Sequence, residues 1–197
     1  MTRTRLALIV TLASLPLAGC ISFAPKPPPS LMSLSATQPL AAGTTITSDD
    51  KRAVAVAPFG AIPALGTQRV LVTDGPAAVA YLKDGLWAAQ PAMLFRTLLA
   101  ETITVRTGRA VPGGRMIDAQ PGTRLSGQLS AFGLDGPGHA AVVTFDATLI
   151  RSDAPALESR RFNARVPVTA EDPTHVAMAI NQAANDVATQ IADWIGR

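Results

Sequence analysis

Three successive stretches in the C-terminal half of this 197-residue chain alternate apolar and polar side chains with a period of two. Leu125, Gly127, Leu129 and Ala131 are interleaved with Ser126, Gln128 and Ser130. Val143, Phe145, Ala147 and Leu149 are interleaved with Thr144, Asp146 and Thr148. Phe162, Ala164, Val166 and Val168 are interleaved with Arg161, Asn163, Arg165 and Pro167. Successive side chains of a strand point to opposite faces, so this patterning predicts an antiparallel sheet with one face buried and one wet. Asp135-Gly136-Pro137-Gly138 and Ser152-Asp153-Ala154-Pro155 carry the turn chemistry of the hairpin loops between these strands.

A half-buried sheet needs a cover, and two helical patterns supply it. Pro91 suits the first position of a helix, where its missing N–H costs nothing. Leu94, Phe95, Leu98, Leu99, Thr102 and Ile103 then repeat at helical spacing, with Gly108 placed as a C-cap. Asp172-Pro173 forms an N-cap and first-position pair for a second helix running to about Ile195, with Val176, Ile180, Val187, Ile191 and Ile195 on one face. Upstream, Val54 to Phe59 reads as a buried strand, Gly60 to Gly66 as loop, and Arg69 to Thr73 as a second strand. Ala78 to Leu82 reads as the returning arm of a hairpin closed by Asp84-Gly85. The order β-β-β-α-β-β-β-α predicts an α+β fold: a mostly antiparallel or mixed sheet with two helices on one face.

The N-terminus is of another kind. Thr2-Arg3-Thr4-Arg5 precedes an apolar run from Leu6 to Leu17, too short to span roughly 30 Å of hydrocarbon. Leu17-Ala18-Gly19-Cys20 resembles a bacterial lipobox, in which the cysteine is acylated and becomes the first mature residue. Cys20 is the chain's single cysteine, so no intramolecular disulfide is available and packing alone must hold the fold. Residues 1–19 therefore read as a lipoprotein signal peptide, 20–50 as a lipid-anchored, Pro-rich linker and 51–197 as the globular domain. Pro25-Lys26-Pro27-Pro28-Pro29 favours extended polyproline II. Leu31, Met32 and Leu34 break the linker's polarity and leave room for a short docking strand. Ile21 and Ser22 follow Cys20, without the Asp that bacterial lipoproteins often carry as an inner-membrane retention signal, and by that resemblance the outer membrane is favoured, facing the periplasm.

Charge and motif content argue against several functions. Loss of Arg3 and Arg5 with the signal lowers the net charge from +3 to +1, and the remaining basic residues form no stripe for nucleic acid. His139 and His175 are separated in sequence, lack any metal-ligand spacing and read as surface histidines. The Gly133 to Gly138 glycines lack the Gly-Lys-Ser/Thr ending of a phosphate loop, and no Gly-x-Ser-x-Gly elbow is present. No catalytic residue, metal or cofactor is expected, and the protein is read as a non-enzyme. Trp87 reads as a cap on the core beside its helix, with an exposed partner-binding anchor as the alternative. Arg160, Arg161 and Arg165 read as a solvated strand face, with contact to an acidic partner as theirs.

Ala53-Val54-Ala55-Val56-Ala57-Pro58-Phe59, then Arg69-Val70-Leu71-Val72, then Val79 to Trp87 resemble the ABC-type transport auxiliary lipoprotein family, the group that includes paraquat-inducible protein C. Tyr81, Trp87 and the Leu94 to Leu99 run follow the family's order, and the resemblance covers roughly residues 50 to 195. Ala88-Ala89-Gln90 stands where the family usually has an acidic residue soon after the Trp. The resemblance implies an auxiliary partner of an ABC permease, its ATPase and a mammalian-cell-entry (MCE) domain protein that move lipids between the two membranes. Membrane contact would run through acylated Cys20, and self-association is a further implication. A pilot or assembly lipoprotein for an envelope complex, or a lipid-binding carrier, shares the same anchor and spacer.

Overall fold

The computed structural model describes residues 30–113, 120–154 and 156–196. The signal peptide and Cys20, on which the anchoring expectation rests, lie outside them. The element order is β1 (Val54–Val56), β2 (Gly60–Ala61), a 3₁₀ turn (Pro63–Leu65), β3 (Arg69–Thr73), β4 (Val79–Leu86), α1 (Pro91–Thr107), β5 (Thr123–Asp135), β6 (Ala140–Arg151), β7 (Leu157–Pro167) and α2 (Pro173–Ile195). The α+β expectation holds, and the sheet is mixed: β4-β3-β5-β6-β7 form its path, with β1 and β2 also on β5.

β5 organises the sheet. Along one edge it pairs antiparallel with β6 over its whole length, from Thr123↔Arg151 to Asp135↔Ala140. Along the other it is met in turn, always in parallel, by β1 at Val54↔Thr123, β2 at Gly60↔Gln128 and β3 at Leu71↔Gly133. Pro58 and Pro63 lack the N–H a ladder needs, so residues 54–73 cannot form one long strand and lie along β5 in three pieces. This corrects the expected Gly60–Gly66 loop, whose first two residues are strand β2.

Two further corrections concern irregular residues. β4 does not end at Leu82: it runs through Asp84-Gly85 to Leu86. Asp84 adopts φ 58°, and the pairing with β3 jumps from Leu71↔Tyr81 to Arg69↔Leu86. Residues that resemble a closing turn here make a bulge inside the strand. In β5 the pairing shifts between Leu129 and Ala131. Leu125 and Leu129 are buried as expected, but beyond the shift it is Phe132 and Leu134 that are buried, while Ala131 is only partly so.

Both helix boundaries follow from local chemistry. Asp172 Oδ1 accepts hydrogen bonds from the backbone N–H of Thr174 (2.9 Å) and His175 (3.1 Å). Gly108 ends α1 in the left-handed conformation, at φ 64°. Between helices and sheet, Phe145 lies 4.6 Å from Phe59 and 5.5 Å from Phe95, centroid to centroid, and Phe162 packs 5.4 Å from Trp194. Buried Ala183, Ala184 and Ala188 let α2 lie close on the sheet. Arg106 of α1 pairs with Asp193 of α2 at 2.7 Å, placing the C-terminal ends of the helices together.

Candidate interaction surfaces

Residues 31–40, expected as linker, are part of the folded body. Met32 is bridged to Trp87: its N–H donates to Leu86 O and its carbonyl accepts from Ala88 N, both at 2.8 Å. The chain then runs along α2. Asn181 Oδ1 accepts from Ser35 N (2.9 Å), and Asn185 Oδ1 accepts from Thr37 N (2.8 Å). Asn185 Nδ2 donates to Ser35 O and to Asn181 O. Leu40 N finally donates to Glu101 Oε1 of α1 at 2.8 Å. An extended segment has no internal partners for its backbone, and here side chains of both helices supply them. The short strand suspected near Leu31 to Leu34 is this one bridge and the strap that follows it.

Trp87 is not on the surface. It is 0 % exposed and packs 5.4 Å from the Phe132 ring, so it closes the core, and the exposed-anchor alternative has no surface to act through in this fold. Its Nε1 has no hydrogen-bond partner. Arg160 and Arg161 are neighbours in sequence but point to opposite faces of β7. The Arg160 guanidinium lies 5.0 Å from the Phe162 ring centroid, on the helix side. Arg161 is bound to Asp146 on the open side, with Nε at 2.5 Å from Oδ1. β4 and β7 are opposite edges of the sheet path, so the fold does not gather Trp87, Arg160 and Arg161 into one patch.

On β5, β6 and β7 the open face carries the polar side chains predicted from the alternation, and toward β3 it becomes an apolar hollow lined by Ile62, Leu71, Val79 and Val142. Arg161 and Ser130 both donate to Asp146, holding its carboxyl below the usual carboxylate range. Arg165 does the same to Asp135, at 2.6 Å. Asp172 is lowered chiefly by the His175 backbone N–H and then by its ring.

Two features escaped sequence reasoning. First, Glu171-Asp172 brings the two distant histidines to one place: His139 Nδ1 is 2.7 Å from Glu171 Oε1, and His175 Nδ1 is 2.6 Å from Asp172 Oδ2. No group of three or more metal-ligating side chains is present among the described residues. Second, Arg109 and Arg151 both donate to Ile195 O at 3.3 Å, answering the negative end of the α2 dipole. With Lys51 and Arg52 they line a cavity of ≈ 330 Å³. Burial, then the neighbouring Arg151 and Arg52, push the Arg109 guanidinium down from its ordinary value. Sequence order hid this cluster, because its members come from three separate segments.

No helix among the described residues is long and apolar enough to cross a membrane. Residues 33–192 match the family model for the ABC-type transport auxiliary lipoprotein component. The chain belongs to this family. None of the curated proteins matches it. The solved structure of a Xanthomonas campestris protein of family DUF330 is 20% identical, with a TM-score of 0.67 over 84% of this chain and 94% of that one. An uncharacterised protein of known structure is 16% identical, with a TM-score of 0.64 over 84% and 99% of the two chains. At these identities the likeness is one of fold. The family match begins within the strap of this auxiliary lipoprotein, at residue 33, consistent with the strap being part of the domain.

Proposed function

We propose that this auxiliary lipoprotein is anchored through acylated Cys20 to the outer membrane, faces the periplasm and docks onto an MCE-type ABC transporter that moves lipids between the membranes. The observation that carries the reading is the family match over residues 33–192, which associates the chain with ABC-type transport. The lipobox-like Leu17-Ala18-Gly19-Cys20 sequence supports the anchor. Energy for transport comes from the ATPase of the complex, and this chain contributes position and contact. Its docking surfaces are the polar open face of the sheet and the cationic cleft at the end of α2.

Affinity purification of the acylated protein from gently solubilised membranes tests the partnership. Recovery of an MCE-domain protein with its permease and ATPase is expected. Recovery of a secretin overturns the transporter assignment, and recovery of an ABC complex without an MCE protein overturns its MCE part. Cys20→Ser releases the protein from membranes if the anchor is correctly placed, and retention of that variant sinks the anchoring claim.

A further inference from the structure

Where the strap begins fixes how far the body can stand from its lipid anchor. Eleven Cα–Cα steps separate Cys20 from Leu31, and at ~3.6 Å per residue they reach no further than about 40 Å, however they are arranged. A chain free as far as Lys51 would reach about 110 Å. The strap therefore removes most of the reach that the length of the Pro-rich segment suggests.

The end of the body nearest this short leash carries exposed apolar side chains. Leu31 is 53 % exposed, Met93 62 % and Met178 57 %. Ser35 binds Asn181 and Thr37 binds Asn185, so the strap follows the middle of α2 in the direction of its C-terminal end. Met178 continues the same helix face one turn earlier, beside the path by which the chain enters. Met93 lies in the first turn of α1, just after the Trp87 bridge to Met32. Because the helices end together at Arg106–Asp193, their N-terminal halves lie at the same end of the molecule.

We infer that this end of the protein rests on a lipid surface, with Leu31, Met93 and Met178 entering the interfacial layer and the strap holding them within reach of it. The inference rests on the anchoring through Cys20 proposed above. A short tether raises the effective concentration of a weak contact, and acyl chains plus a small apolar patch make a two-signal attachment. The lipid surface is favoured over a protein occupant because the leash must end in it.

The test uses the full acylated chain bound to phosphatidylethanolamine vesicles containing some phosphatidylglycerol. Environment-sensitive fluorophores are placed singly at Leu31→Cys, Met93→Cys, Met178→Cys and, at the opposite end, Asp153→Cys. Lipid-borne doxyl groups are expected to quench the first three severalfold more than the fourth. Met93→Glu with Met178→Glu, both at exposed positions, is expected to leave flotation with vesicles intact and to lower quenching at residue 31. Flotation without quenching overturns the inference alone. Failure to float overturns the anchor and the inference with it. A spectral blue shift at residues 93 and 178 without quenching reveals a protein occupant, such as a second copy, and also overturns it.

Discussion

Asn185 is the residue on which the strap turns. It is 7 % exposed, accepts from Thr37 N and donates to Ser35 O and Asn181 O. Its truncation leaves strap backbone groups without partners, and breaking such part-buried bonds costs on the order of 1–3 kcal/mol. Asn185→Ala is therefore expected to lower urea stability by roughly that amount and to speed hydrogen exchange at the Thr37 amide. Unchanged exchange at Thr37 would show that the strap does not depend on this side chain. Trp87 presents the opposite situation, a fully buried ring with an unpartnered Nε1. Trp87→Phe loses packing but also removes an unsatisfied donor. Its cost should fall below the about 3–5 kcal/mol expected when a core Phe such as Phe145 is cut to Ala. Equal losses for the two variants in denaturant titrations would contradict this reading.

At the scale of elements, the sheet depends on glycines where backbones approach closely. A Cβ at Gly133 would collide with the Leu71 carbonyl oxygen on β3. Gly133→Ala is expected to open the parallel β3–β5 contact and to destabilise the fold by about 1–3 kcal/mol or more, with early exchange of the Leu71 and Val72 amides as its signature. A stable variant with those amides still protected would refute it. The bulges show why the period-two pattern of the sequence was only partly readable. Leu125 and Leu129 announced their face correctly, whereas the shift after Leu129 exchanged Ala131 for Phe132. A bulge inserts one residue without changing local composition, so its position is decided by the partner strand. The Asp84-Gly85 pair failed for the same reason: its chemistry permits φ > 0, and the neighbouring β3 decides whether that becomes a turn or a bulge.

For the molecule as a whole, acid should be the sensitive direction. Asp135, Asp146 and Asp172 are all held below the usual carboxylate range, chiefly by Arg165, Arg161 and the His175 backbone N–H respectively. A carboxylate with a depressed folded pKa stabilises above its unfolded value of about 3.9 and loses that contribution as pH falls through the folded value. The thermal midpoint is expected to be flat in these terms from pH 7 to about 5 and to drop below about 4. Asp172→Ala should lower the midpoint at neutral pH, and the difference from the parent should close as acid protonates Asp172. A difference that persists at low pH would assign its effect to something other than the carboxylate.

What the sequence determined by itself was everything carried by short-range chemistry. Period-two patterning gave the three long strands, Pro91 and Asp172-Pro173 gave the helix starts, and Gly108 gave a helix end. The Leu17 to Cys20 motif gave the expectation of an anchor. Only the tertiary structure decided which neighbours those pieces acquire. It laid residues 54–73 in three lengths along β5 and turned residues 31–40 from spacer into strap. It also buried Trp87, sent Arg160 and Arg161 to opposite faces, and collected Lys51, Arg52, Arg109 and Arg151 at one end of α2. These outcomes depend on backbone groups and charges finding partners tens of residues away. Local composition leaves that choice open, and the packing of the helices on the sheet makes it.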